Sequence, residues 1–473
     1  MISKRFLWCV LSVSLLGTFA TGATTAPAAG TAPFRVTPVF GGMAGGSIVP
    51  VDVSGGDQTD PHVSGNLSAY TDAGNPAQAL IRYHDFLNPV TPNAAVPTGA
   101  ENIDSLSDVN GNHIAFAREN TIAGSRVPMV FDVVTHSMIQ IGSGTQAGAM
   151  AVGGDTIAFV NNSALSDILV GRISDPGAPL TVLSATPDND KTPAVSPAGD
   201  VVVWASCSGF SCSVMKSVHS GSGWSAPSVV RAAPAANPDL DGASIVYDSG
   251  GDIYHQPVGG GSETQLELDG VERNPSISEG IIAFESAVSG GLPADLYVYE
   301  IATNRYFRVT DTPFIDETLN DITVLPNGDV RMVWAADDDA SQAFARNIYA
   351  RTFTLASTYH FAGFFQPVDN LPALNLATAG RSIPVKFSLG GNQGLAIFEP
   401  GYPASGPIPC EATEAGADIE ETVTAGASDL SYNASSDQYT YVWKTEKTWK
   451  GTCRMLVVGF SDGLQTFAKF RFK

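Results

Sequence analysis

The chain has 473 residues, of which 44% are hydrophobic and 15% charged, and its 47 acids against 25 bases give a net charge of −22 at pH 7. That length and apolar content suffice for a large buried core. So acidic a chain repels phosphate backbones, which argues against a nucleic-acid partner. Residues 6–358 hold 36 acids against 14 bases and residues 359–473 hold 11 against 9, so the excess acid precedes residue 359.

Lys4 and Arg5 precede the apolar run Phe6 to Leu16 and the small residues Ala20 to Ala23. This pattern predicts a secretory signal over 1–23, too short for a permanent span. Cys9 lies inside the apolar run, away from a cleavage box, which argues against a lipoprotein anchor. Residues 24–33 (TTAPAAGTAP) read as a flexible leader. A soluble exported protein follows as the expectation, extracellular or periplasmic, with no transmembrane segment in the mature chain.

From 34 to 358 one phrase recurs: a turn rich in Gly or Asn, then an apolar strand carrying an aromatic ring. The rings are Tyr70, Phe116, Phe159, Trp204, Tyr247, Phe284 and Trp334, at spacings of 46, 43, 45, 43, 37 and 50 residues. Such a period marks units too small to bury their own apolar faces, which stack on their neighbours. Turns such as Gly65-Asn66, Asn110-Gly111 and Asn327-Gly328 supply the positive φ of tight hairpins. Strands such as Thr156-Ile157-Ala158-Phe159 are apolar on both faces, as sandwiching between blades requires. A third element opens on a polar residue, for example Asp167, Asp252 or Asp295, expected to bond local backbone N–H groups. The pattern predicts an all-β propeller of seven blades, or six, with residues 34–58 as candidates for a closing strand.

The phrases Asp60-Pro61-His62-Val63-Ser64-Gly65-Asn66, Thr192-Pro193-Ala194-Val195-Ser196-Pro197 and Asn274-Pro275-Ser276-Ile277-Ser278 resemble the TolB-like propeller family over roughly 55–355. The resemblance implies the fold. TolB's amino-terminal α/β domain has no counterpart here, so a Tol-Pal role is not implied.

Four cysteines follow the signal, Cys207, Cys212, Cys410 and Cys453, and an even number in an exported chain favours disulfides. Cys207 and Cys212 are close enough to bridge a hairpin, and Cys410 and Cys453 are placed to join strands of the final domain. Beyond 358 the repeat stops. Ile383, Val385, Phe387 and Leu389 alternate with Lys386 and Ser388, and similar runs at 438–443, 453–458 and 467–472 predict an immunoglobulin-like β-sandwich over 359–473. The segments Tyr359 to Phe365, Pro384 to Gly391 and Gly451 to Arg454 resemble the PxKF domain, a carboxy-terminal module of exported bacterial proteins with no established activity to carry over. Lys386 reads as a solvent-side strand residue.

Chemistry is sparse. No Gly-x-Ser-x-Gly elbow accompanies the propeller, which disfavours peptidase activity. His62, His84, His113, His136, His219, His255 and His360 show no metal-binding spacing and read as surface or hydrogen-bonding residues. Asp188-Asn189-Asp190 and Asp337-Asp338-Asp339 offer hard oxygens to calcium, yet neither completes a calcium loop, so solvated loops are the simpler reading. No catalytic residue, metal ligand or cofactor is assigned. The expectation is a non-catalytic recognition or scaffold protein binding an exported protein or a glycan through propeller loops; the alternative is a propeller-fold polysaccharide lyase or glycoside hydrolase.

Overall fold

The computed structural model describes residues 33–473 apart from 37, 75–77, 91, 163–165, 222, 269, 288–292, 313–314, 339–345, 356–358, 372, 399–400, 409, 411–414, 419–429 and 462–463. The signal, residues 24–32 of the leader, and Asp339 therefore lie outside the described residues. The regular secondary structure of the described chain is strand apart from a short 3-10 turn at Lys447–Trp449. No helix in it is long and apolar enough to cross a membrane, which says nothing of β-barrels.

Seven successive sheets of four or five strands come first. Their inner strands are Gln58–Ser64, Asn102–Asn110, Ala147–Gly153, Asn189–Val195, Ala236–Leu240, Val271–Ser278 and Asp316–Val324. Each packs against the next, and Asp316–Val324 returns to Gln58–Ser64, closing a ring. A tight turn joins every inner strand to its antiparallel second strand, and its glycine takes a positive φ in all seven sheets, from 52° at Gly154 to 90° at Gly242. The ring of sheets is the arrangement of a β-propeller.

Residues 34–52 do more than close the ring. Ile48–Asp52 is the antiparallel outer strand of the last sheet, beside Asn347–Phe353. Phe34–Val36 and Val39–Met43 add parallel fifth strands to the fifth and sixth sheets. The seven recurrent rings sit on the second strands and are all buried, none more than 1% exposed. Apolar clusters run between sheets: Val63 and Tyr70 of the first sheet pack with Val333, Ala335 and Ile348 of the last. This packing ties the two ends of the ring together, because neither sheet buries that face alone.

Two further sheets follow. One orders Phe364–Phe365, Ser382–Phe387, Gln438–Lys444 and Leu430–Asn433; the other orders Ala404–Ile408, Cys453–Gly459, Gln465–Phe472, Leu374–Ala377 and Ala415–Asp418. They share one core, in which Ile383, Val385 and Phe387 of the first meet Leu456, Val458 and Phe470 of the second. Disulfides join Cys207 to Cys212 and Cys410 to Cys453.

Candidate functional site

Every inner strand slips register against its second strand at the same place, between Thr59/His62, Ser105/Asp108, Ala147/Met150, Lys191/Ala194, Ala236/Asp239, Arg273/Ser276 and Leu319/Asp321. Such a bulge bends the strand and re-aims the residue that follows it. In four strands the bulge is built by a left-handed residue before proline: Asp60 (φ 56°), Thr192 (44°), Asn237 (48°) and Asn274 (52°). Asn and Asp tolerate that conformation whereas β-branched Thr192 is strained in it, and the proline that follows has no N–H to leave unpaired. The residue after each bulge faces the centre of the ring. His62, Asp108, Met150, Ala194, Asp239, Ser276 and Asp321 together line a cavity of about 450 Å³ at the end where the tight turns lie.

The seven positions are chemically unequal. Met150 and Ala194 make one side apolar, while the remaining five are polar. His62 holds the junction between the last and first sheets: its Nδ1 lies 3.4 Å from Asp108 Oδ1 and 3.6 Å from Asp321 Oδ2, and its Nε2 lies 3.5 Å from Asp60 Oδ1. Burial opposes charge on this imidazole, but Asp321, Asp60 and Asp108 prevail and raise its pKa well above the ordinary value. Asp108 is pushed up to about 6 by burial, with His62 opposing and Asp321 adding. Burial, then repulsion from Asp321, pushes Asp239 up to about 7.

These carboxylates also fasten the ring. Val152 N–H donates to Asp108 (2.6 Å), Ile277 N–H to Asp239 (2.8 Å) and Val63 N–H to Asp321 (2.9 Å), in each case from the next sheet. Asp321 also accepts from the Ser276 hydroxyl at 3.0 Å and from Ile322 N–H at 2.7 Å. Two residues on, a second tier repeats the device: Gly280 N–H donates to Asp241 and Gly111 N–H to the Ser64 hydroxyl. The backbone bonds hold the acids in place, and the channel gathers negative charge that the protein supplies with a single imidazole.

His62, Asp108 and Asp321 are the group of described residues whose ligand atoms lie within 4.8 Å of one another, so they could hold a metal ion. Their separations from His62 exceed an ordinary hydrogen bond and suit donors around one small divalent ion. The sequence reading of His62 as a surface or hydrogen-bonding residue did not place it: among the described residues it is the histidine that lines the channel. Of the others, His84 meets Asn93 at 2.8 Å, His113 faces Asp132, His219 meets Arg172 and Trp224, and His136 packs near Phe131. His255 is pushed down by burial.

Two further expectations change. Asp190 is fully buried at the start of an inner strand instead of solvated in a loop; burial raises its pKa against Ser184, Ser206 and Trp204. Asp338 is engaged by Tyr349 and Asn347, and Asp337 is exposed. Asp252 accepts from the Gln265 side chain across its sheet, and Asp295 from Arg308 and from the distant Thr312 N–H, in place of the expected local backbone. Lys386 is half-buried on a strand of the final domain, while Ile383, Val385, Phe387 and Leu389 are buried.

The sequence matches no family model, and a search of the curated proteins finds no match. Among solved structures the chain is similar to a prolyl endopeptidase (TM-score 0.47, 13% identity), over 70% of this chain and 56% of that one. It is similar also to the β-propeller domain of the Trilobed protease from Pyrococcus furiosus (TM-score 0.47, 14% identity), over 63% of this chain and 97% of that one. TolB from Acinetobacter baumannii matches at TM-score 0.36 and 16% identity, over 58% of this chain and 76% of that one. The chain thus spans about half the length of the endopeptidase. At such distances no activity transfers, and the propeller architecture rests on the ring of sheets itself.

Proposed function

We propose that the protein is an exported, non-catalytic recognition protein, a seven-bladed TolB-like propeller followed by an immunoglobulin-like PxKF domain. The propeller binds a protein partner by taking a cationic group, a Lys or Arg side chain or an amino terminus, into the acidic end of its channel. One observation carries this reading: Asp60, Asp108, Asp239 and Asp321, from four inner strands, line the same end of the cavity with His62 as their single basic neighbour. Burial makes charge on Asp108 and Asp239 costly, and an ammonium or guanidinium group offsets that cost. The lyase or hydrolase alternative has less support. Asp108 and Asp321 each accept a backbone N–H, from Val152 and Val63, so both carboxylates are engaged in closing the ring.

The test is calorimetric titration of the chelator-treated full chain with hexalysine at low ionic strength. Chelation matters because a divalent ion on His62, Asp108 and Asp321 would occupy the same carboxylates. Binding that weakens with salt, and by about tenfold in the Asp108→Asn/Asp239→Asn variant, is expected. Equal binding by both proteins, or none by either, would overturn the assignment, and release of fragments from polysaccharides would favour the enzymatic alternative.

A further inference from the structure

A second cavity, about 1120 Å³, lies between the sixth sheet of the propeller and the final domain. Its propeller wall is a row of rings, one from each of four neighbouring strands. Phe284 stacks on Tyr297 at 5.9 Å, Tyr297 meets Tyr306 at 6.2 Å, and Tyr306 meets Phe40 at 5.0 Å. Phe40 in turn meets Phe467 of the final domain at 5.5 Å, so the row continues across the junction. Phe284 is fully buried, whereas Tyr297, Tyr306, Phe40 and Phe467 are half-buried and present ring surface to the cavity. Tyr359, Phe361 and Leu464 form part of the facing wall.

Charge is distributed here in the opposite sense to the channel. The described lining contains Arg305, Arg308, His360 and Lys469, and no Asp or Glu, in a chain with 47 acids against 25 bases. Arg308 is engaged by Asp295 and Asp311 from outside the lining, and Arg305 lies over the Phe307 ring at 4.8 Å. Lys469 has no carboxylate partner among the described residues, and His360 is exposed beside it in the same lining.

We infer that this cleft binds an acidic polysaccharide, with its sugar rings laid along the Tyr297–Tyr306–Phe40–Phe467 row and its carboxylates met by Lys469 and Arg305. The row fits a chain of pyranose units better than one flat ligand. Its steps are close to the length of one sugar and turn through 38°, 51° and 41°, so no single plane spans them. A sugar ring offers an apolar C–H face to an aromatic ring and hydroxyls at its edge, and a uronate adds an anion for the Lys469 ammonium. Position favours the cleft as well, since binding sites gather at domain junctions. This inference stands apart from the channel and requires no cationic partner.

The test uses the full chain, with alginate hexamer as probe, cellohexaose as neutral control and polyglutamate as the competing anion. Measurements are made near physiological ionic strength, where the protein's net negative charge is screened. Alginate is expected to bind more tightly than cellohexaose. Lys469→Ala should weaken alginate at least fivefold and leave cellohexaose unchanged, whereas Tyr306→Ala should weaken both. Thermal unfolding and retained hexalysine binding show that each variant is folded, and Asp239→Asn should bind alginate as the parent does. Alginate binding that is absent, or equal in parent and both variants, would overturn the inference. Tighter binding of polyglutamate, lost in the same variants, would replace the glycan with an acidic peptide.

Discussion

The channel and the junction cleft hold opposite charge for different physical reasons. In the channel, three of the seven positions after a bulge carry an acid, because a carboxylate there accepts the next sheet's N–H, as Asp108, Asp239 and Asp321 do. Its negative potential follows from closing the ring. The cleft lining carries no Asp or Glu among the described residues, and the Lys469 side chain has no carboxylate partner among them. Charge that is structural and charge that is unspent should therefore respond differently to substitution, and four outcomes sharpen or break that contrast.

The largest effect concerns the wall of the cleft. Cys410 and Cys453 lie 43 residues apart, and removing both by Cys410→Ser and Cys453→Ser should cost about 4 kcal/mol from loop entropy. Denaturant unfolding should show the loss, with alginate binding weakened and hexalysine binding retained; loss of both together would mean the two cavities are not independent. Next, Asp321→Ala strands Val63 N–H and Ile322 N–H at the ring's closure and leaves the Ser276 hydroxyl to Asp239 alone. About 3 kcal/mol should be lost, and a change below about 0.5 kcal/mol, the scale of an ordinary surface substitution, would remove the structural role assigned to the carboxylate.

A smaller effect appears in pH dependence. Asp108 and Asp239 titrate near 6 and 7 when folded, above the ordinary 3.8, so between those values the folded chain holds protons that the unfolded chain has released. Stability should fall as pH rises from about 4 to 7. His62, also raised, contributes stability that is present below its ordinary pKa and lost as pH climbs through the raised one. Melting followed by circular dichroism should show this slope, and Asp239→Asn should flatten it; an unchanged slope would place the titration elsewhere. The smallest effect is a near-null: Lys469→Ala should shift the unfolding free energy by no more than about 0.5 kcal/mol, and a larger loss would show that its charge is structural after all.

Much of the ring was legible in the sequence because each sheet repeats the same physical requirements. The seven aromatic positions mark second strands, and the turn glycines mark hairpins. The channel was less legible. The phrases around Asp60-Pro61-His62 and Asn274-Pro275-Ser276 drew notice as family-like text, but their meaning lies in the bulge: the residue after the proline faces the channel. That signal could have singled out His62 and Asp239. Asp108 and Asp321 lack the proline, and only the register slip reveals their equivalence. Asp190 misled for a related reason, since an acid that opens an inner strand resembles an acid in a loop until burial is known. The cleft could not be read at all, because Phe40, Tyr306 and Phe467 each lie more than 150 residues from the next and meet only through Val39–Met43 joining the sixth sheet.

The most direct measurement of the central claim is a pH titration of the His62 imidazole by NMR, assigned with His62→Gln, in the presence and absence of hexalysine. The account predicts a pKa well above the ordinary histidine value that falls when the peptide's ammonium groups share the carboxylates of Asp60, Asp108 and Asp321. An imidazole titrating at its ordinary value and indifferent to the peptide would contradict it.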